Sequence, residues 1–75
     1  MTLQDIKAGH SYVVKTIASA DEALVSKILA LGIVPGEKVE LMHKAPLGDP
    51  MQVKAGSTYV SIRRADGIYV EVDRI

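Results

Sequence analysis

Residues 29–51 read LALGIVPGEKVELMHKAPLGDPM, and this stretch holds a helix end, a turn, a strand and a second turn in direct succession. Gly32 follows an apolar helical stripe and suits a left-handed C-cap. Val34-Pro-Gly-Glu37 places Pro second and Gly third, as a type II turn requires. From Lys38 to Ala45 the residues alternate, with Val39 and Leu41 facing one way and Lys38, Glu40 and Lys44 the other, which predicts a half-buried strand. Ala45-Pro-Leu-Gly48 has the Pro and Gly placement of a type I turn, and Pro50 pushes Asp49 extended.

Working outward, Leu24, Ile28 and Leu31 share one helical face, widened by Val25 and Leu29, so a helix of about three turns precedes Gly32. Ser19-Ala-Asp-Glu22 fits a capping box at its start, with Asp21 and Glu22 at the positive end of the helix dipole. Before it, Ser11–Ala18 is rich in β-branched and aromatic residues and predicts the first strand. After it come short strands at Met51–Ala55 and Thr58–Arg63, a tight connection at Arg64–Gly67, and a last strand with Ile68, Val70 and Val72 inward. Five strands, one helix after the first, and no linker predict a single domain over 1–75, built as a small closed or half-closed barrel.

Size and composition limit what such a domain does. Seventy-five residues bury roughly 60% of the unfolded surface. The apolar gain, on the order of 110 kcal/mol, is matched by an ordering cost of similar size. Little is left to hold a strained active site. Nine Lys and Arg balance nine Asp and Glu, and the balance holds in both halves of the chain, so the long-range field of a nucleic-acid-binding barrel is missing. The absence of Cys removes thiolate metal sites and Cys nucleophiles and fits a reducing cytosol. The longest uncharged apolar run, Ile28–Pro35, is too short to span a bilayer, and no signal peptide is read before it. No phosphate-cradling loop or catalytic motif occurs. The reading is therefore a cytoplasmic domain that is not an enzyme and carries no cofactor.

The ordered set Leu29-Ala-Leu-Gly-Ile-Val-Pro-Gly36, Val39-Glu-Leu41, Ala45-Pro-Leu-Gly-Asp-Pro50 and Ile62-Arg-Arg-Ala-Asp66 with Ile68-Tyr-Val-Glu-Val72 resembles the ferrous iron transport protein A (FeoA) family. The resemblance covers about Leu3 to Val72 and departs at Gly67, where members often have Ala. It implies an all-β, five-stranded SH3-like barrel with one short helix between strands 1 and 2. It further implies an accessory or regulatory role in bacterial ferrous iron uptake through protein–protein contact. The implied partner is a FeoB-type membrane transporter, met at its cytosolic GTPase side, so that the domain reaches the inner face of the membrane only through that partner.

Candidate contact residues come from the residues themselves. Leu47, braced by Pro46 and Pro50, is apolar where turns are usually polar; it is either a docking anchor or a side chain folded back over a barrel end. Ile33 and Val34 pose the same alternative. Arg63 and Arg64 could meet an acidic partner surface or a nucleotide phosphate, but local ion pairs with Asp66 or Glu71 are the plainer reading. His10 and His43 lack a partner at ligand spacing and are read as surface histidines, leaving no metal site. Met42 and Met51 are read as core gap-fillers. The rival functions are a nucleic-acid-binding small barrel, which needs a positive groove and stacking aromatics, and a transition-metal sensor domain. A Pro-peptide groove is excluded, because the only aromatics are Tyr12, Tyr59 and Tyr69.

Overall fold

The strand alternation read in the sequence builds a sheet with one inner face. In the computed structural model, which describes residues 1–75, the strands are β1 (Tyr12–Ile17), β2 (Lys38–Lys44), β3 (Met51–Ala55), β4 (Thr58–Ile62) and β5 (Val70–Arg74). Helix α1 (Glu22–Ala30) joins β1 to β2, and a four-residue helix α2 (Arg64–Gly67) joins β4 to β5. Short 3-10 turns occupy Leu3–Asp5 and Pro46–Gly48. The strand order is β4-β3-β2-β1-β5, with antiparallel neighbours throughout. β4 and β5 end the sheet without pairing to each other, so the barrel is open rather than closed.

The inner face carries Tyr12 and Val14 from β1, Val39 and Leu41 from β2, Met51, Val53 and Ala55 from β3, Ile62 from β4, and Val70 and Val72 from β5. These join Leu3, Ile6, Ile28 and Ile33 in one cluster of 14 buried residues. The surface of 4450 Å² is close to the roughly 4,500 Å² that a compact monomer of this mass exposes. No buried side-chain polar atom lacks a hydrogen-bond partner.

Two expected core residues lie outside it. Met42 is 47% exposed: the β2–β3 register shifts between Leu41 and His43, which leaves Met42 as the extra, outward residue of a bulge. Ile68 is 43% exposed, because Arg64–Gly67 forms a helical turn with Ile68 as its C-cap and β5 begins only at Val70. Conversely, Leu3 and Ile6 are fully buried. Their segment is tied down by the Val72 N–H donating to the Met1 carbonyl at 3.0 Å and the Lys7 N–H donating to the Tyr12 hydroxyl at 3.1 Å. Gly67 packs against this segment, and a methyl there would stand 3.6 Å from Leu3 Cβ, so an alanine at this position fits without rearrangement.

Helix α1 has only Ile28 fully buried. Leu24 and Leu31 are half-buried against the core, and Leu29 is 39% exposed, so the apolar stripe is narrower than its spacing suggests. Its N-cap is Asp21, not the Ser19–Glu22 box. One Asp21 carboxylate oxygen accepts from the Ala23 and Leu24 amides at 3.0 and 3.2 Å, while Ser19 Oγ accepts the Asp21 N–H at 3.1 Å and closes the preceding turn. A carboxylate receiving two amides at the positive helix end outcompetes one hydroxyl. Asp21→Ala is expected to destabilise the fold by about 1 kcal/mol, with Ser19→Ala clearly milder; equal losses in urea titrations would reject this assignment.

The Val34–Glu37 turn forms as read, with Gly36 at φ 89° and the Glu37 N–H donating to the Val34 carbonyl at 2.9 Å. It docks on β1 at both backbone groups of Val14: the Gly36 N–H donates to the Val14 carbonyl at 2.8 Å, and the Val14 N–H donates to the Glu37 carbonyl at 2.9 Å. This seats Ile33 beneath the helix end.

Candidate functional site

The loop between β2 and β3 is held from three directions. The Gly48 N–H donates to the Ala45 carbonyl at 2.8 Å, and the Ala45 N–H donates to the Pro50 carbonyl at 3.2 Å. From outside the loop, the Arg64 N–H donates to the Asp49 carboxylate at 3.0 Å. Asp49 is extended, as expected ahead of a proline, and its bond to Pro50 is cis. The turn itself is not type I. Leu47 has φ 71° and ψ 7°, the third-position geometry of a type II turn, where glycine or asparagine is usual.

That conformation settles the orientation of Leu47. Its side chain is 99% exposed, so it does not fold back over the barrel end. A leucine held left-handed costs roughly 1–2 kcal/mol, and here no burial offsets that cost. An exposed aliphatic side chain on a braced turn loses little further entropy when a partner covers it.

Leu47 lies beside Arg64 and Ile68. All three line an open concavity of about 350 Å³ between the loop and α2, with Asp49 and Gln4 at its margin. The Arg64 guanidinium leans on the turn, with Nη1 3.8 Å from where a side chain at position 48 would start. Space alone would admit a larger residue at 48; glycine is called for by its φ of 81°. The result is two aliphatic side chains flanking one guanidinium. Ile68 was not legible as part of this patch, since alternation carried back from Val70 points it inward; reading the Arg64–Gly67 tetrad as a helical turn would have placed it outside.

The other candidates divide. Pro46 is exposed and braces Leu47 within the turn. Arg63 points toward a neighbouring cleft rather than the concavity. Ile33 is fully buried and is withdrawn from the contact residues: it fills the space under the helix end. Val34 is half-buried and lines neither hollow. The ion pairs expected for the two arginines do not form. Asp66 is taken by Lys27 of α1 at 3.2 Å, the one other ion pair joins Lys38 to Glu40, and both arginines stay exposed.

The histidines are apart from this face. His10 Nδ1 accepts from the Arg74 guanidinium at 3.0 Å; the direction follows because a guanidinium only donates. His43 is exposed on β2. Nowhere do three His, Asp or Glu side chains converge as a metal-binding group. No helix is long and apolar enough to cross a membrane.

The FeoA domain model matches residues 1–74. This chain belongs to the FeoA family. It is 29% identical over 70 residues to a Helicobacter pylori protein assigned as Fe(2+) transport protein A, covering 93% of this chain and 90% of the relative. Among solved structures, FeoA from Stenotrophomonas maltophilia is 33% identical with a TM-score of 0.82, covering 97% of this chain and 89% of that one. That protein was solved as a zinc complex and is described as a prokaryotic SH3 domain protein. FeoA from Chlorobium tepidum is 29% identical with a TM-score of 0.87, covering all of this chain and 70% of that one. The FeoA assignment brings the SH3-like fold and involvement in ferrous iron transport with it.

Proposed function

We propose that this chain is a cytoplasmic accessory protein of ferrous iron uptake that docks on the cytosolic side of a FeoB-type transporter and performs no catalysis of its own. The observation that carries the reading is Leu47: fully exposed, held in an unfavourable backbone conformation, and set beside Arg64 and Ile68. The unpaired guanidinium is of a residue type enriched at interface hot spots, and the exposed aliphatic side chains beside it offer apolar area for a partner to bury. The complementary partner surface is an apolar pocket with a carboxylate at its rim. By binding one conformation of the transporter more tightly than another, the domain would bias that equilibrium in proportion to the difference in affinity.

The nucleic-acid reading loses support for a specific reason. Tyr12 is buried, and the exposed Tyr59 and Tyr69 lie on β4 and just before β5, end strands that do not pair with each other, which speaks against adjacent rings on one strand pair as a stacking platform.

The test is capture of detergent-solubilised full-length transporter on the immobilised domain, with and without guanine nucleotide. Leu47→Asp is expected to lower capture about 30-fold, the equivalent of about 2 kcal/mol for a hot-spot side chain, while amide spectra show an intact fold. Equal capture by the variant would remove Leu47 from the contact; failure of the unaltered domain in every nucleotide state would remove the partner.

A further inference from the structure

The two ends of the sheet are protected unequally. β5 carries Glu71, Asp73 and Arg74, and the N-terminus runs along it through the Thr2–Glu71 bridge and the Val72–Met1 hydrogen bond. β4 has no such cover. Thr58-Tyr-Val-Ser-Ile62 contains no charge, proline or glycine. Its register with β3 runs unbroken from Ala55–Thr58 to Met51–Ile62, and no strand lies on its other side. Sheet edges are ordinarily blunted by lysine, proline, a bulge or a covering segment, because a bare edge templates pairing with another chain.

Beside the C-terminal half of β4 lies a cleft of about 220 Å³, walled by Ile28 and Leu31 of α1, with Ile62 on the strand side and Pro50 at one end. Lys27 and Arg63 stand at its margin. Lys27 is neutralised by Asp66 at 3.2 Å, whereas Arg63 has no carboxylate partner. The end of a bare strand edge facing a helix across a partly apolar hollow offers the elements by which strand-addition domains take extended peptides: backbone hydrogen bonds supply affinity and the hollow selects alternate side chains.

We infer that β4 and α1 form a groove for an extended segment of a protein partner, whose backbone pairs with β4, whose aliphatic side chain enters the cleft, and whose carboxylate two residues away meets Arg63. The two-residue spacing follows from strand geometry, since only alternate side chains share the cleft face. The charge preference follows from Arg63 being the cleft's one uncompensated ion. This groove is separate from the Leu47 face and does not depend on the transporter being the partner.

The experiment titrates the ¹⁵N-labelled full chain with a blocked pentapeptide, Thr-Leu-Thr-Glu-Thr, and with its counterpart carrying Lys in place of Glu. Saturable amide shifts are expected along residues 58–63 and 27–31, with the glutamate peptide binding about three- to fivefold tighter, as one exposed ion pair permits. Arg63→Glu should invert that order without moving the site. Leu47→Asp should leave the shifts unchanged, so this groove and the transporter face stand or fall separately. An absence of shifts at millimolar peptide, shifts confined to Leu47 and Ile68, or equal binding of both peptides by the unaltered chain would overturn the inference.

Discussion

Truncating Ile33 to alanine is expected to lower the folding free energy by about 3 kcal/mol, within the range of 2–5 kcal/mol for a fully buried isoleucine. Ile33 has no exposed surface and sits where three constraints meet. Gly32, at φ 90°, ends the helix behind it, the Val34–Glu37 turn follows it, and that turn is hydrogen-bonded to Val14 on β1. With the backbone pinned on both sides, the site cannot collapse to fill the space of three lost carbons, so the cavity term adds to the lost transfer energy. Small domains hold roughly 0.05–0.15 kcal/mol per residue. A loss of 3 kcal/mol is therefore a large share of the total, and it should appear as a lower urea midpoint with little change in slope. Val34→Ala, on a half-buried neighbour, should cost about 1 kcal/mol or less. Similar midpoints for the two variants would mean that Ile33 does not fill the core.

Replacing Leu47 by glycine should act in the opposite direction on stability while removing partner capture. The leucine side chain is 99% exposed, so deleting it forfeits almost no burial. Glycine adopts φ 71° freely, relieving roughly 1–2 kcal/mol of left-handed strain, less about 0.5–1 kcal/mol for its larger unfolded-state entropy. The net gain of about 0.5–1 kcal/mol corresponds to a rise in Tm of about 4 °C in a domain of this size. Capture of the transporter should fall about 30-fold, as for the aspartate. A residue whose replacement stabilises the free protein and abolishes its binding is retained for the binding. A lower Tm with unchanged capture would show instead that Leu47 supports the fold.

The sequence-to-structure correspondence is closest where one residue type has one use. The β3 boundaries, the turn at Val34–Glu37 and the Gly32 C-cap were all legible, since period-two burial and positive φ leave direct marks on residue choice. The capping error at Ser19 arose because Asp21 competes within the same four residues, and choosing between them depends on where the first helical turn begins. Leu3 and Ile6, in and just after a short 3-10 segment, display no periodicity that marks them as core. Met42 and Ile68 were misplaced because alternation was carried through a bulge and across a helical turn, each of which breaks the period by one or more residues.

The candidate face shows the same division. The Pro46–Pro50 brace and the apolar tip could be read from the chain alone, and so could the two arginines, but not their relation. Local propensity and periodicity act over a few residues, so strands, turns, neutrality and family membership were determined by the sequence itself. The outward Leu47, its meeting with Arg64 and Ile68 from across the chain, the burial of Ile33, and the bare β4 edge depended on which distant segments pack together. Only tertiary structure decides that, because the placement of residues 47 and 68 around one hollow is set by the summed packing of the strands between them and leaves no mark at either position.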